Sequence, residues 1–327
     1  CTDEPGGVKY APGRGKRPAR PVFPQVAFQK GLTYMARDGN IPTLTVTAHC
    51  LPEAWEKAVL AVWKHGVEVR TEYDKPGDPL SRDATVMITV ANPFNEPRIH
   101  KNFPGGPEEL EAYRQEVCDG IHDHWINPAE DKWTYTYHER LFAYSPTNDL
   151  SRADGPKPFA AVDQIAYVVE KLSQTFHTRR AQAITWMPTA DPQTYDPPCL
   201  QRLWFRIIDD EAGAAVLNMN SHWRSRDLYK AWYMNAYALT DLQRQVAQRI
   251  SQKIGRPVNV GRYVDIVDSL HIYGSYFREA MPEIKKMDGT DFHERAWPSD
   301  HPAFAMMIEE AQKKLAEDPD WYAKGRG

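Results

Sequence analysis

The chain has 327 residues, of which 42% are hydrophobic, so it is long enough to bury a sizeable core. Its formal net charge of -4 at pH 7 points neither to a nucleic-acid-binding nor to a membrane-binding surface. Four scattered cysteines, Cys1, Cys50, Cys118 and Cys199, lack the spacing of a zinc site and favour a reduced cytoplasmic setting. The sequence shows no apolar run of about 18 residues and no signal peptide, so no membrane partner and no metal are expected.

The composition predicts three regions along the chain. Residues 1–40 are rich in Pro, Gly, Lys and Arg, and we expect an N-terminal extension, either a wrapping arm or a disordered tail. Residues 41–290 contain the strong hydrophobic periodicity of a folded domain. Residues 291–327 are predicted to form a C-terminal helical extension.

Hydrophobic periodicity predicts the elements of the domain in chain order. They are a strand at 44–50, a helix at 52–66, a strand at 83–90, helices at 107–126 and 162–176, a short strand at 181–186, two strands within 200–223, a long buried helix at 228–255, a strand at 258–274 and two short helices. Strands cluster in the middle and helices flank them. This order predicts an α+β fold, with helices packed on a largely antiparallel mixed sheet.

Five short segments contain the residues best suited to chemistry. They are YTYHERL (135–141), HTRR (177–180), DPPCL (196–200), RSRD (224–227) with Asn235 eight residues beyond its Asp, and DSLHIY (268–273). In order and spacing they resemble the thymidylate synthase family, and YTYHERL is most similar to the shorter archaeal-type members. The resemblance covers residues 130–275 closely and 45–130 loosely.

That resemblance implies the rest of the expected biochemistry. It implies the family's fold, a homodimer formed through the sheet with shared active sites, and a pyrimidine nucleoside monophosphate as substrate. It also implies methylenetetrahydrofolate as the one-carbon donor.

The family's nucleophile corresponds to Cys199, with Arg224 beside it and Tyr137 close by. Carbon 5 of a pyrimidine is a poor nucleophile, and addition of a thiolate at carbon 6 activates it. Nearby cations favour the thiolate. Without the surrounding motifs, the alternative is a buried and inert cysteine.

The phosphate ligands implied by the resemblance are arginines, which match phosphate oxygens two at a time. They are Arg179 and Arg180, which in the family reach across from the other subunit, together with Arg224 and the hydroxyl of Ser225. Arg82 is a further candidate. For the Arg179-Arg180 pair, a solvated basic turn is the alternative.

The remaining candidates would contact the base, the sugar and the folate. Asn235 corresponds to the residue that binds the base edge, and by flipping its amide it could serve uracil or cytosine. His271 and Tyr273 correspond to sugar-hydroxyl ligands, although an ordinary interstrand pair is an open alternative. Lys132 is a candidate for a ribose hydroxyl. Asp227 corresponds to the carboxylate that holds the pterin ring.

The chain departs from the family in three places. Leu200 follows the nucleophile where a His is usual, and the chain ends in a polar, basic segment instead of an apolar tail. The proton-relay glutamate cannot be placed in register, because Glu111, Glu116 and Tyr113 compete for it; we name Glu116. A site open to water favours water addition to the exocyclic methylene group over hydride transfer.

These departures favour a pyrimidine nucleotide hydroxymethylase acting on CMP or dCMP. It is most similar to the cytidylate hydroxymethylases of nucleoside-antibiotic pathways, such as mildiomycin biosynthesis. The alternatives are a thymidylate synthase that converts dUMP to dTMP and a non-catalytic nucleotide-binding regulator. A hydrolase using Cys199 and His271 is a poorer reading, since it leaves the arginines unused.

Overall fold

The computed structural model describes residues 39–130, 133–147 and 159–324. The strands are β1 (Thr43–Ala48), β2 (Val67–Val69), β3 (Ser81–Val90), β4 (Ile99–His100), β5 (Gln182–Ile184), β6 (Leu200–Asp209), β7 (Ala215–Trp223), β8 (Arg226–Asp227), β9 (Val258–Ile272) and β10 (Ala296–Trp297). The helices are α1 (Leu51–His65), α2 (Pro107–Asp119), α3 (Tyr137–Phe142), α4 (Gln164–Gln174), α5 (Trp232–Ile254), α6 (Phe277–Gly289), α7 (Pro302–Glu317) and α8 (Trp321–Lys324).

One large sheet organises the domain, with the strand order β1-β3-β9-β7-β6-β5. Strands β3/β9, β6/β7 and β5/β6 pair antiparallel, whereas β1/β3 and β7/β9 pair parallel. The short strand β8 runs parallel to the last part of β9. The sheet is therefore mixed and largely antiparallel, and the predicted α+β class is confirmed.

The two faces of this sheet differ in what covers them. Along β7 the residues alternate between buried and half-buried, the pattern of a strand with one covered face. Helices α1 and α5 cover that face and bury Trp55 and Trp232 completely. The opposite face carries half-exposed apolar side chains, among them Met87 on β3 and Ile208 on β6.

The predicted helix at 107–126 is shorter in the structure. Helix α2 ends at Asp119 because Gly120 adopts a left-handed conformation with φ 68°. A 3-10 turn over Asp123–Trp125 follows. This ending turns the chain back along α2 and brings His122 to the side of Glu116. The predicted start of α5, at residue 228, was also early. The chain leaves β8 at Asp227, and the helix begins only at Trp232.

Within the described ranges, no helix is both long enough and apolar enough to cross a membrane. In the same residues no group of three or more His, Cys, Asp or Glu side chains could hold a metal ion. The predicted extension at residues 1–40 lies almost wholly outside the part of the chain that the structure describes.

Candidate active site

The site begins where the chain enters β6. Cys199 immediately precedes β6, and β6 pairs with β7, whose end leads into Arg224 and Ser225. The Sγ of Cys199 lies 3.4 Å from the Oγ of Ser225, and the same hydroxyl accepts a hydrogen bond of 3.1 Å from Arg224. Cys199 is only partly buried. The Cys199 thiol thus contacts the Ser225 hydroxyl, which in turn contacts the Arg224 guanidinium, at a partly exposed position.

The segment before the cysteine fixes the Arg224 side chain. Its Nη2 and Nε donate to the carbonyl oxygens of Pro197 and Pro198, at 2.6 and 3.2 Å. Its backbone N–H donates to the Cys199 carbonyl at 2.9 Å. Because these contacts use only some of the five N–H groups, others remain for an anion. About a third of the side chain is exposed, at 34%.

Tyr137 lies at the start of α3 and is directed toward the nucleophile. Its hydroxyl accepts a hydrogen bond of 3.3 Å from the backbone N–H of Leu200. Burial, with the nearby Cys199 as a further cause, raises the pKa of Tyr137 well above its usual range. Tyr137 is therefore a neutral phenol at physiological pH, able to donate or to accept a hydrogen bond.

Asn235, in the first turn of α5, is held at both ends of its amide. Arg226 Nε donates to Oδ1 at 3.1 Å, and Nδ2 lies 2.6 Å from the Tyr113 hydroxyl. A guanidinium has no acceptor, so Oδ1 must face Arg226. A flip of the amide would set the Nδ2 and Arg226 donors against each other. Which base Asn235 would bind remains a prediction.

His271 and Tyr273 lie at the end of β9, with ring centroids 4.5 Å apart. The Nδ1 of His271 lies 3.2 Å from the carbonyl oxygen of Ser269, which can only accept, so this nitrogen carries the hydrogen. Burial lowers the pKa of His271 to about 4, so the ring is neutral at physiological pH. Its Nε2 is a buried acceptor that no described residue satisfies.

Asp227 is the last residue of β8, and its carboxylate faces the backbone of the residues that follow the strand. Oδ1 accepts hydrogen bonds from the backbone N–H groups of Tyr229 and Lys230, at 2.9 and 3.0 Å. Burial raises the pKa of Asp227 to about 6, against the lowering effect of those two bonds and of the Tyr276 hydroxyl. The carboxyl group is thus poorly solvated and largely ionised at pH 7 to 8.

The two candidate proton-relay glutamates of α2, Glu111 and Glu116, differ in their partners. Glu111 binds Arg114 and Gln115, and Glu116 Oε2 lies 2.8 Å from His122 Nδ1. Both are buried, at 2% and 8% exposure, so neither is a surface carboxylate. Tyr113 lies one turn before Glu116 on the same helix face, and it is Tyr113 that contacts Asn235.

Some predicted residues do not meet Cys199 within this chain. Arg179 and Arg180 are exposed just before β5, six and five residues before Thr185. The Thr185 N–H donates to the Gln201 carbonyl, close to Cys199 in the sequence. At about 3.3 Å per residue, that places them roughly 20 Å from the nucleophile. Lys132 lies outside the described residues.

Arg82 is also directed away from the cluster. It pairs with Ile272 across β3/β9, whereas its neighbour Asp83 pairs with His271, so Arg82 and His271 project from opposite faces. Its guanidinium binds Glu68 at 2.9 Å and lies over the Trp63 ring. The structure therefore gives Arg82 a different partner from the predicted phosphate.

Comparison with known proteins decides the family. A family model described as thymidylate synthase matches residues 112–301, which is more than half of the chain. The chain belongs to the thymidylate synthase family. The matched range begins within α2 and contains Tyr137, Cys199, Arg224, Asn235 and His271.

Thymidylate synthase relatives in archaea are similar over most of their length. A protein of Methanococcoides burtonii is 29% identical over 239 residues, 73% of this chain and 93% of the relative. One from Methanocaldococcus jannaschii is 27% identical over 252 residues, 74% of this chain and 98% of the relative. Both carry provisional thymidylate synthase names.

A solved structure supports the fold. Thermostable thymidylate synthase A from Bacillus subtilis superposes with a TM-score of 0.50 at 16% identity, covering 75% of this chain and 92% of that one. Members of the thymidylate synthase family are enzymes that transfer one-carbon groups, with methylenetetrahydrofolate as the donor. They bind pyrimidine nucleotides.

Sequence reasoning missed two groups in this thymidylate synthase site. Arg226 is the variable position of the Arg-Ser-x-Asp motif, so the motif itself gave it no role. Tyr73 makes edge contacts with the Tyr195 and Tyr273 rings, at 6.3 Å between centroids in each case. It lies in a loop rich in Pro and Gly that has no hydrophobic period, and no local signal could have placed it beside the site.

Proposed function

We propose that this chain hydroxymethylates carbon 5 of CMP, or of dCMP, through a covalent adduct between Cys199 and carbon 6. One observation carries the proposal: at a partly exposed position, the Cys199 thiol contacts the Ser225 hydroxyl, and that hydroxyl accepts a hydrogen bond from the Arg224 guanidinium. A cation near a thiol favours its ionised, nucleophilic form.

The thiolate would supply the activation that carbon 5 needs. When it adds to carbon 6 of cytosine, the electron pair of the C5=C6 bond shifts toward carbon 4 and N3, and carbon 5 becomes nucleophilic. The neutral Tyr137 hydroxyl, bonded to the N–H next to the nucleophile, can orient a water molecule or the base there. Once the one-carbon unit is on carbon 5, the carbon 5 proton and tetrahydrofolate are lost, and an exocyclic methylene group remains on the ring. Water adds to this methylene group as the C6–S bond breaks, which restores the ring double bond and the free Cys199 thiolate.

Nucleotide binding would use the remaining groups of the cluster. The free N–H groups of Arg224 and the Ser225 hydroxyl suit a phosphate. The unsatisfied Nε2 of His271 suits a sugar hydroxyl, because it can accept an O–H. Asn235 would bind the base edge through its remaining N–H and lone pair.

Arg179 and Arg180 would complete the phosphate site from a second copy of the chain. Within one chain they are too far from Cys199 to share a ligand with it. The half-exposed apolar face of the sheet, with Met87 and Ile208, suits an interface between two copies. We therefore propose a homodimer with shared sites.

The residues around Asp227 fit methylenetetrahydrofolate. A poorly solvated carboxylate suits the N–H donors of a pterin ring, and the rings of Tyr273 and Tyr276, 5.5 Å apart, offer flat apolar surface nearby. The donor supplies the one-carbon unit when it is bound. Asp227 would fix its ring, and the tyrosines would exclude water from one side.

Two features support hydroxymethyl over methyl as the product. Leu200, where the family usually has His, is completely buried. The C-terminal segment near Asp320 packs on the Asp123–Trp125 turn. The usual His would help to order water near the base, so a leucine at this position implies a different water network around the ring. The provisional names of the archaeal relatives favour a second candidate, conversion of dUMP to dTMP.

Product masses test the proposal. CMP, dCMP, UMP and dUMP are each incubated with enzyme and methylenetetrahydrofolate, and the masses of the products are measured by mass spectrometry. The expected product is CMP or dCMP heavier by about 30 mass units, the hydroxymethyl increment, whereas a methyl group adds about 14 for chemistry of this covalent kind. Methylated dUMP as the sole product would establish the second candidate instead.

A further inference from the structure

The two groups that contact the Asn235 amide, the Tyr113 hydroxyl and the Arg226 guanidinium, differ in which end of the amide they can face. The Tyr113 hydroxyl both donates and accepts, so it could face either end of an amide. The Arg226 guanidinium only donates, so it tolerates only the oxygen. Of the two contacts, at 2.6 and 3.1 Å, it is therefore the one to Arg226 that fixes the orientation.

Arg226 itself has no room to move. It is 2% exposed, and its Nη1 and Nη2 donate to Asp265 and to the Trp232 carbonyl, at 2.5 and 3.1 Å. The guanidinium carbon lies 3.9 Å from the centroid of the Trp223 ring. Asp265 in turn accepts hydrogen bonds from Trp232 and Tyr263. The Arg226 Nε is thus a fixed donor directed at Asn235.

We infer that Arg226 is a positioning residue that sets the base specificity of this site by preventing the Asn235 amide from turning over. The inference rests on the proposed function, in which Asn235 binds the base edge. With one N–H and one lone pair already used, the amide offers one donor and one acceptor in a fixed order. That order suits either cytosine or uracil, but not both in the same pose.

With CMP as substrate, the free N–H faces N3 of the base and the free lone pair faces the N4 amino group. In the same pose, UMP would set N–H against N–H and oxygen against oxygen. Turning the amide would relieve this clash only by breaking a hydrogen bond to a charged donor, which corresponds to about ten- to a hundredfold in an equilibrium constant. The wild-type protein should therefore prefer one base by at least that factor.

Calorimetric titration of the full-length protein with CMP and with UMP tests the inference. The double variant R226Q/D265N replaces the buried ion pair with two neutral amides, and a glutamine can face Asn235 with either end. We expect the CMP/UMP preference to fall below about threefold in this variant, a difference of under 1 kcal/mol. The control R140Q/D191N removes another buried Arg–Asp pair, which does not contact Asn235, and should keep the preference.

The single variant Y113F tests the same point without touching the ion pair. Arg226 still holds the amide, so affinity for both nucleotides should fall together and their ratio should stay within about threefold of wild type. A ratio that collapses in Y113F, or that survives in folded R226Q/D265N, would overturn the role of Arg226. Wild-type protein that binds neither nucleotide would instead overturn the proposed function.

Discussion

At the scale of single residues, the site combines groups of opposite character around one sulfur atom. The Ser225 hydroxyl contacts the Cys199 thiol and accepts a hydrogen bond from Arg224, whereas Leu200, next to the cysteine, is completely buried. The sulfur is accessible and its neighbours are fixed by backbone contacts. This arrangement differs from that of Cys50 and Cys118, which are buried and whose pKa values burial raises.

We expect Cys199→Ala to abolish turnover and leave nucleotide affinity nearly unchanged, because the nucleophile is lost while the arginine and amide contacts remain. Turnover is measured with the preferred nucleotide and methylenetetrahydrofolate, and affinity by calorimetry. A 5-fluoropyrimidine nucleotide should form a stable adduct with wild type and none with the variant. Cys118→Ala is the control and should retain turnover; residual activity of Cys199→Ala would contradict the covalent mechanism.

A second residue-scale prediction concerns Asp227 and pH. Its folded-state pKa, about 6, lies above the ordinary value of 3.8, so its stabilising effect is complete below pH 3.8 and is lost as pH rises through 6. Asp227→Asn removes this penalty and should stabilise the protein at pH 8 by at most about 3 kcal/mol.

Urea unfolding at pH 4 and pH 8 measures the effect of Asp227→Asn. The gain should be present at pH 8 and nearly absent at pH 4. If Asp227 also holds the pterin ring, the same variant should show a raised KM for the folate and little change in nucleotide affinity. An equal gain at both pH values would contradict the burial argument.

At the scale of elements, the end of α2 is joined to the C-terminal segment. His122 Nε2 lies 3.0 Å from the Pro319 carbonyl, which can only accept, so Nε2 carries a hydrogen. On the other side Nδ1 lies 2.8 Å from Glu116 Oε2. The His122 ring stacks on Trp125 at 3.7 Å, and Trp125 donates to Asp320 at 2.7 Å.

We expect Asp320→Ala to lower kcat severalfold, with little change in nucleotide KM, because it loosens the turn that holds His122 against Glu116. Loss of the bonds from Trp125 and His124 should also destabilise the protein by about 1–2 kcal/mol. Steady-state kinetics and urea unfolding measure both effects. The control is Glu310→Ala, which removes only an exposed ion pair on α7; equal effects of the two variants would contradict this role.

At the scale of the whole molecule, the sheet separates two functions. One face is buried under α1 and α5. Cys199 immediately precedes β6, Arg224 immediately follows β7 and His271 lies near the end of β9. The other face is partly apolar, and within the described ranges Met87 is exposed at 45% and Ile208 at 55%. Since Arg179 and Arg180 lie far from the thiol, the proposed site needs this second face to pair with another copy.

Complementation between inactive variants tests the shared site. Cys199→Ala and Arg180→Ala should each be inactive as homodimers. Mixed and allowed to exchange subunits, they should regain about a quarter of wild-type activity, because half of the dimers then contain one intact site out of two. Sedimentation velocity checks that dimers form. Activity that stays absent in exchanged mixtures would place both residues in the same chain's site.

The sequence by itself determined the α+β class and most of the elements, since hydrophobic periodicity is a local property of the chain. It also singled out Cys199, Arg224, Ser225 and Asn235, because the spacing of short motifs can be recognised in the sequence without knowledge of the fold. Only the tertiary structure decided which residues meet. Tyr113 on α2 contacts Asn235 across 122 positions of the chain, and no local pattern encodes a contact over that separation. Arg226 is nine positions from Asn235, but their contact depends on how β8 lies beside the start of α5. For the same reason Arg82 could not be assigned to the other face of β3 until its register with β9 was known.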